Sequence, residues 1–181
     1  QATAALVTAG SLVEVSDATV TINDADGSAL NAEDLSAIGN KTTGTVTVTN
    51  AVAISGTTAQ VTAALVTAGT LVEVTDAAVT IDDTPTIAEL NAIAAKTTGV
   101  VTATLAANSL ANLGALTTAG TDVITITVND ADAAELTAAD LSTLGGRTAG
   151  TVTVTNAVAI TGSIAQSTAA LVTAGSLVEV S

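Results

Sequence analysis

The chain contains no Cys, His, Met, Phe, Trp or Tyr, and only three basic residues in 181. Each absence removes a class of chemistry. Without Cys there is no disulfide framework, thiolate nucleophile or zinc-ribbon site. Without His, the commonest general base and metal ligand is gone. Without aromatic platforms, and with Lys41, Lys96 and Arg147 as the whole cationic complement, the chain lacks stacking surfaces and phosphate clamps, which argues against a nucleic-acid partner. The apolar runs are four or five residues long, far short of the roughly 20 that span a bilayer, so membrane insertion is not expected. Seventeen acidic residues give a formal net charge of −14, yet 48% of the chain is hydrophobic, which opposes intrinsic disorder.

What remains is mostly Ala, Thr and Val, more than half of the residues together, and it is arranged in repeats. The block Ala-Ala-Leu-Val-Thr-Ala-Gly-Ser-Leu-Val-Glu-Val at residues 4–15 returns at 63–74 with one change and at 169–180 unchanged. A second block, Thr-Gly-Thr-Val-Thr-Val-Thr-Asn-Ala-Val-Ala-Ile at 43–54, returns at 149–160 with its first residue altered. Such internal similarity is the signature of a stacked repeat architecture. The spacing predicts one continuous array over 1–181, with units near 1–59, 60–111, 112–165 and a partial 166–181. Opening and closing in the same register, it reads as a window on a longer array.

Within each unit two kinds of element alternate. Thr45-Val46-Thr47-Val48-Thr49 has the period-2, β-branched pattern of a half-buried strand. Val61, Ala64, Leu65 and Ala68 follow helical spacing, and Leu136, Leu141 and Leu144 mark a similar stripe, with Thr137 and Asp140 spaced as a capping box. Gly10, Gly44, Gly69, Gly99, Gly120, Gly150 and Gly175 stand where helix or turn gives way to strand and are expected to adopt positive φ. Asp17, Asn50, Asp76, Asn129 and Asn156 follow strands and suit left-handed corners. The order predicts a right-handed α/β solenoid of parallel strands and short Ala-rich helices, about 25–30 residues per coil, since parallel crossovers are almost always right-handed. A pure β-solenoid is the alternative, because helices pack about 8–10 Å apart whereas strands stack at about 4.8 Å.

Two groups of charges are candidate sites. Asp24, Asp26, Asp82, Asp83, Asp130 and Asp132 cluster in turns, where closely spaced oxygens are candidate calcium ligands; solvated turns and helix caps account for the same residues. Asp34, Glu89 and Asp140 each precede a base, Lys41, Lys96 and Arg147, by seven residues, which is two helical turns. Repeated through the array, these six form either a charge ladder or a solvated helix face that complements the dipole. Outward Thr-x-Thr faces suggest an ordered-water surface, but Glu14, Glu73 and Glu179 occupy the equivalent strands of alternate coils and would interrupt it. No constellation for catalysis is present: Ser lacks a His base, and the carboxylates recur with the repeat instead of forming one singular pair. No cofactor other than calcium is suggested.

The stretches Val-Thr-Ala-Ala-Leu-Val-Thr-Ala-Gly (61–69), Leu-Asn-Ala-Ile-Ala-Ala-Lys-Thr-Thr-Gly-Val-Val-Thr-Ala-Thr-Leu (90–105) and Leu-Ser-Thr-Leu-Gly-Gly-Arg-Thr-Ala-Gly-Thr-Val-Thr-Val (141–154) resemble the tandem repeats of very large bacterial cell-surface proteins of cyanobacterial type. The resemblance spans essentially the whole chain. It implies a secreted structural or adhesive protein at the cell surface and transfers no functional residue. Two functions follow as expectations. One is a segment of an extracellular filament, sheath or surface layer whose principal partner is itself. The other is a stalk or binding module of a large adhesin that recognises glycan or protein.

Overall fold

The computed structural model describes residues 1–8, 13, 15–67, 69, 72–173 and 178–180. Among these lie seven helices and twelve strands in an α/β arrangement. The chain divides into two compact units, Gln1–Asp83 with Ala92–Val101, and Thr84–Asn91 with Thr102–Ser181.

In the first unit the order after α1 (Ala2–Leu6) is β1 (Val20–Ile22), β2 (Ala29–Asn31), α2 (Ala32–Gly39), β3 (Val46–Val48), β4 (Ala53–Gly56), α3 (Thr58–Leu65), β5 (Val72–Glu73) and β6 (Ala78–Ile81). Its strands pair in parallel. Val20 lies beside Val46 and Val46 beside Val72, a step of 26 residues each time. Ala29 lies beside Ala53 and Ala53 beside Ala78, steps of 24 and 25. Helix α4 (Ile87–Ala94) contains the boundary between the units, after Asn91.

The second unit repeats the order. After β7 (Val101–Thr104) and the one-turn α5 (Leu110–Leu113) come β8 (Val123–Val128), β9 (Glu135–Thr137), α6 (Ala138–Gly145), β10 (Val152–Val154), β11 (Ala159–Thr161), α7 (Ile164–Leu171) and β12 (Val178–Val180). Ile126 pairs with Val152 and Val152 with Val178, again 26 residues apart, while Glu135 pairs with Ala159, 24 apart. Only β7 to β8 is shorter, with Thr102 beside Val123, a step of 21.

The core follows from these registers. Aligned Val and Ile side chains on one strand face meet the apolar stripe of the helix: Val46, Ile54, Val61, Ala64 and Val79 in the first unit, Ile124, Ile126, Leu141, Val152 and Ala170 in the second, all buried. Burying each Val or Ile contributes about 1.5–3 kcal/mol. The stripe read from Val61, Ala64 and Leu65 is the buried face of α3, and Leu141 and Leu144 are that of α6; Leu136 lies in β9, and Ala68 is outside the described residues. Eight helix residues are enough for two turns, so the helices are real and the all-β alternative is set aside. Thr137 and Asp140 do cap α6.

The motif Thr-x-Gly after each Lys or Arg ties one strand to the next. Thr42 Oγ1 donates to Ala18 O (2.6 Å) and accepts from Gly44 N–H (3.0 Å); Thr97 does the same with Ala77 O and Gly99 N–H, at the same two distances. Thr148 Oγ1 lies 2.8 Å from Ile124 O and Ile124 N and accepts from Gly150 N–H at 2.8 Å. The backbone approaches so closely that a Cβ on Gly44, Gly99 or Gly150 would lie 2.4 Å from the carbonyl oxygen of Ala18, Ala77 or Ile124. The expected positive φ is therefore not why these glycines are there. Gly44, Gly69, Gly99, Gly120 and Gly150 lack it, Gly10 and Gly175 lie outside the described residues, and the positive-φ turn glycine is Gly27 at +73°. Proximity of a neighbouring strand, not backbone handedness, excludes a side chain.

Gly99→Ala should destabilise the chain by about 2–4 kcal/mol in urea unfolding, the range of an overpacked core site. Gly69→Ala, where a Cβ meets nothing within 4 Å, should be close to neutral. Equal effects at the two positions would refute the close-approach explanation.

Candidate functional site

The acidic turns are the densest concentration of chemistry-bearing side chains, and hydrogen bonds to neighbouring strands organise them. After β1, Asp26 Oδ1 accepts from Ala51 N–H (3.1 Å), Gly27 N–H donates to Ala51 O (2.7 Å), and Asn50 Nδ2 donates to Asp24 O (2.6 Å). The same constellation recurs in the second unit: Asp132 Oδ1 accepts from Ala157 N–H (3.3 Å), Ala133 N–H donates to Ala157 O (2.7 Å), and Asn156 Nδ2 donates to Asp130 O (2.5 Å). Gly27 in the first turn is replaced by Ala133 in the second, at φ +61°. An L-residue there costs about 1–2 kcal/mol, so the hydrogen bonds hold the turn against its own preference.

Two further carboxylates cap helices that start some 20–25 residues earlier. Asp83 Oδ1 accepts from Thr58 N–H (2.6 Å) and Thr58 Oγ1 (2.5 Å) at the first turn of α3, whose own Thr57 and Gln60 complete a capping box. Asp130 Oδ2 accepts from Leu110 N–H (2.7 Å) at the start of α5. The Thr58 hydroxyl, and then its backbone N–H, hold the Asp83 carboxyl below the usual aspartate range. Asp82 is exposed, and its N–H donates to Gly56 O (2.9 Å). Among the described residues no three of His, Cys, Asp and Glu converge as a metal-ligand set. Of the candidate calcium ligands, Asp26, Asp83, Asp130 and Asp132 thus already accept backbone N–H groups.

The corners work differently from the left-handed expectation. Among the described residues the one positive φ outside glycine belongs to Ala133, so Asp17, Asn50, Asp76, Asn129 and Asn156 do not use that conformation. Asn50 and Asn156 instead reach across to a carbonyl of the preceding acidic turn. Asn129 N–H donates to Asn108 O (3.0 Å), and Asp17 accepts from the adjacent Ser16 hydroxyl (3.4 Å). Asp76 is exposed in the bend before β6. An amide side chain satisfies a strand-end carbonyl that the ladder leaves open, a stronger demand than local turn geometry.

The ladder residues sort to opposite ends of helices. Asp34, Glu89 and Asp140 lie in the first turns of α2, α4 and α6. Asp140 Oδ2 accepts from Thr137 Oγ1 (2.7 Å), and Glu89 Oε2 accepts from Thr86 N–H (2.9 Å) and Oγ1 (2.7 Å). Lys41, Lys96 and Arg147 are exposed beyond the helix ends, and each N–H donates to a carbonyl three residues back, Ile38, Ile93 and Leu144. Acid at the N-terminus and base past the C-terminus complement the helix dipole. On the strand faces, Thr47 stands beside Glu73 and Thr153 beside Glu179, so carboxylates interrupt the Thr rows; Glu14 lies outside the described residues.

One feature was not legible in the sequence. Because the step from β7 to β8 is short, α5 has one turn where α6 has two, and a cavity of about 410 Å³ opens between them. Leu113, Leu116, Leu136 and Leu144 give it an apolar floor, with Asp140 and Arg147 at its border. The irregular stretch from Val100 to Leu113 is the one signal that pointed there. No protein-family model, curated protein or solved structure matches the chain.

The Asp83 cap predicts an acid response. Its folded-state carboxyl titrates below the ordinary aspartate value of about 3.9, so its contribution is full above that pH and is lost as pH falls through the lowered folded value. Asp83→Asn should be less stable than the unaltered chain at pH 7, and the difference should shrink below about pH 4. A difference independent of pH would contradict the assignment.

Proposed function

We propose that the chain is a structural segment of an extracellular filament, sheath or surface layer, folded as a right-handed α/β solenoid and associating with copies of itself. One observation carries this reading: side chains of the kind a binding or catalytic site would use are committed to joining one strand layer to the next. The Thr-x-Gly threonines, the turn aspartates and the corner asparagines each bond a backbone group some 20–29 residues away. A chain built this way gains cohesion with every layer and needs no singular site, as in repeat proteins whose stability is a sum over neighbours. The reading is non-enzymatic. The acidic surface would keep fibres dispersed, or let divalent ions such as calcium bundle them.

A stalk or binding module of an adhesin is the second reading, favoured by the cavity between α5 and α6, which interrupts the regular succession of helices. Its ligand would be glycan or protein. Among the described residues no helix is long and apolar enough to cross a membrane.

Negative-stain electron microscopy of the chain, with calcium and then with chelator, tests the proposal. Uniform fibres are the expected result, and their loss in chelator would assign the acidic turns a metal-dependent role in bundling. Monodisperse short particles under both conditions would overturn the filament and favour the binding module.

A further inference from the structure

Part of the chain shows how a strand edge and a helix start are covered, and another part leaves the equivalent groups uncovered. Residues 169–180 repeat 63–74 with Ser176 for Thr70, and 159–161 (Ala-Ile-Thr) correspond to 53–55 (Ala-Ile-Ser). In the first unit β4 is covered by β6, in the register Ala53–Ala78, Ile54–Val79, Ser55–Thr80, and Asp83 caps the Thr58 N–H. Under that cover Leu65 is 5% and Thr58 6% exposed. The corresponding Leu171 is 37% and Ile164 89% exposed, and Ile160 is only half-buried where Ile54 is fully buried.

The chain also carries a second version of the covering segment. Residues 19–24, Thr-Val-Thr-Ile-Asn-Asp, match 78–83, Ala-Val-Thr-Ile-Asp-Asp. Within the molecule, Val20 N–H donates to Thr45 O and Thr49 N–H donates to Ile22 O, so Val20 and Ile22 face β3. The intervening Thr21 N–H and C=O point the other way, and Thr21 is exposed.

We propose that the free edge of β1 in a second copy of this chain adds to β11, with Thr19, Val20 and Thr21 of that copy beside Ala159, Ile160 and Thr161, and with its Asp24 capping the Ile164 N–H of α7. The proposal rests on the self-associating reading above and specifies its register. Charge agrees with it, because a carboxylate meets the positive end of α7. Strand addition to an open edge supplies the remaining hydrogen bonds, and the covered Ile164 and Leu171 supply apolar burial.

Sedimentation equilibrium of the 181-residue chain over a range of concentrations tests it, with circular dichroism and thermal melting to confirm that each variant folds. Thr21→Pro removes the outward donor while leaving the β1–β3 bonds in place, a substitution that edge strands tolerate. The unaltered chain should form end-to-end oligomers. Thr21→Pro should weaken association at least about tenfold, Asp24→Ala about threefold or more, and Thr21→Val should leave it unchanged. Oligomers insensitive to both Thr21→Pro and Asp24→Ala would overturn this register while leaving self-association standing. A monomer at every concentration would overturn the self-associating reading itself.

Discussion

Hydrogen-bonded strands lie about 4.8 Å apart, and the rest of this structure answers to that spacing. Strands paired in parallel at steps of 24 to 26 residues bring each segment of backbone back beside its predecessor within each unit. At that distance there is no room for a side chain where two backbones converge. Hence Gly44, Gly99 and Gly150 stand against the carbonyls of Ala18, Ala77 and Ile124, with a threonine hydroxyl two residues earlier closing the gap.

The composition follows from the same constraint. Helices joined to strands at this pitch must approach closely, and the residues at the contact are small. Ala32, Ala64, Ala138 and Ala170 are buried, and a Cβ on Gly56 would come within 3.1 Å of Ala32 Cβ. Helix α2 packs on α3, and α6 on α7, with eight residues each, short enough to turn back to the next strand. Val, Ile and Leu fill the space between strands and helix without aromatic rings. The acidic residues also have a structural place, since a carboxylate in a turn meets backbone N–H groups that the ladder and the helix starts leave open.

The regular part of this architecture was legible because it is periodic. Thr-Val-Thr-Val-Thr gave a strand, the Val61–Ala64–Leu65 stripe gave a helix, and Thr137 with Asp140 gave a cap, all of which depend on neighbours within a few residues. What the sequence did not disclose depends on residues some 25 positions away. Glycine reads the same whether it is there for positive φ or for a close backbone, and Asn50 reads the same as a left-handed corner or as a donor to Asp24 O. The turn aspartates look like calcium ligands until the Ala51, Thr58 and Leu110 N–H groups are placed beside them. The cavity beside α5 was hidden for a different reason: it comes from a shortened step between β7 and β8, an omission rather than a motif.

The central claim is the register of parallel pairing, and the absence of native cysteine makes it directly measurable. Thr127 in β8 lies beside Thr153 in β10, whereas Thr155 is displaced by two residues along the strand. A disulfide needs Cα atoms within about 7 Å. The double variant Thr127→Cys with Thr153→Cys should oxidise to an intramolecular disulfide in a glutathione buffer and resist unfolding more than its reduced form. Thr127→Cys with Thr155→Cys should remain largely reduced under the same conditions. Preferential oxidation of the second pair would contradict the 26-residue step on which the account stands.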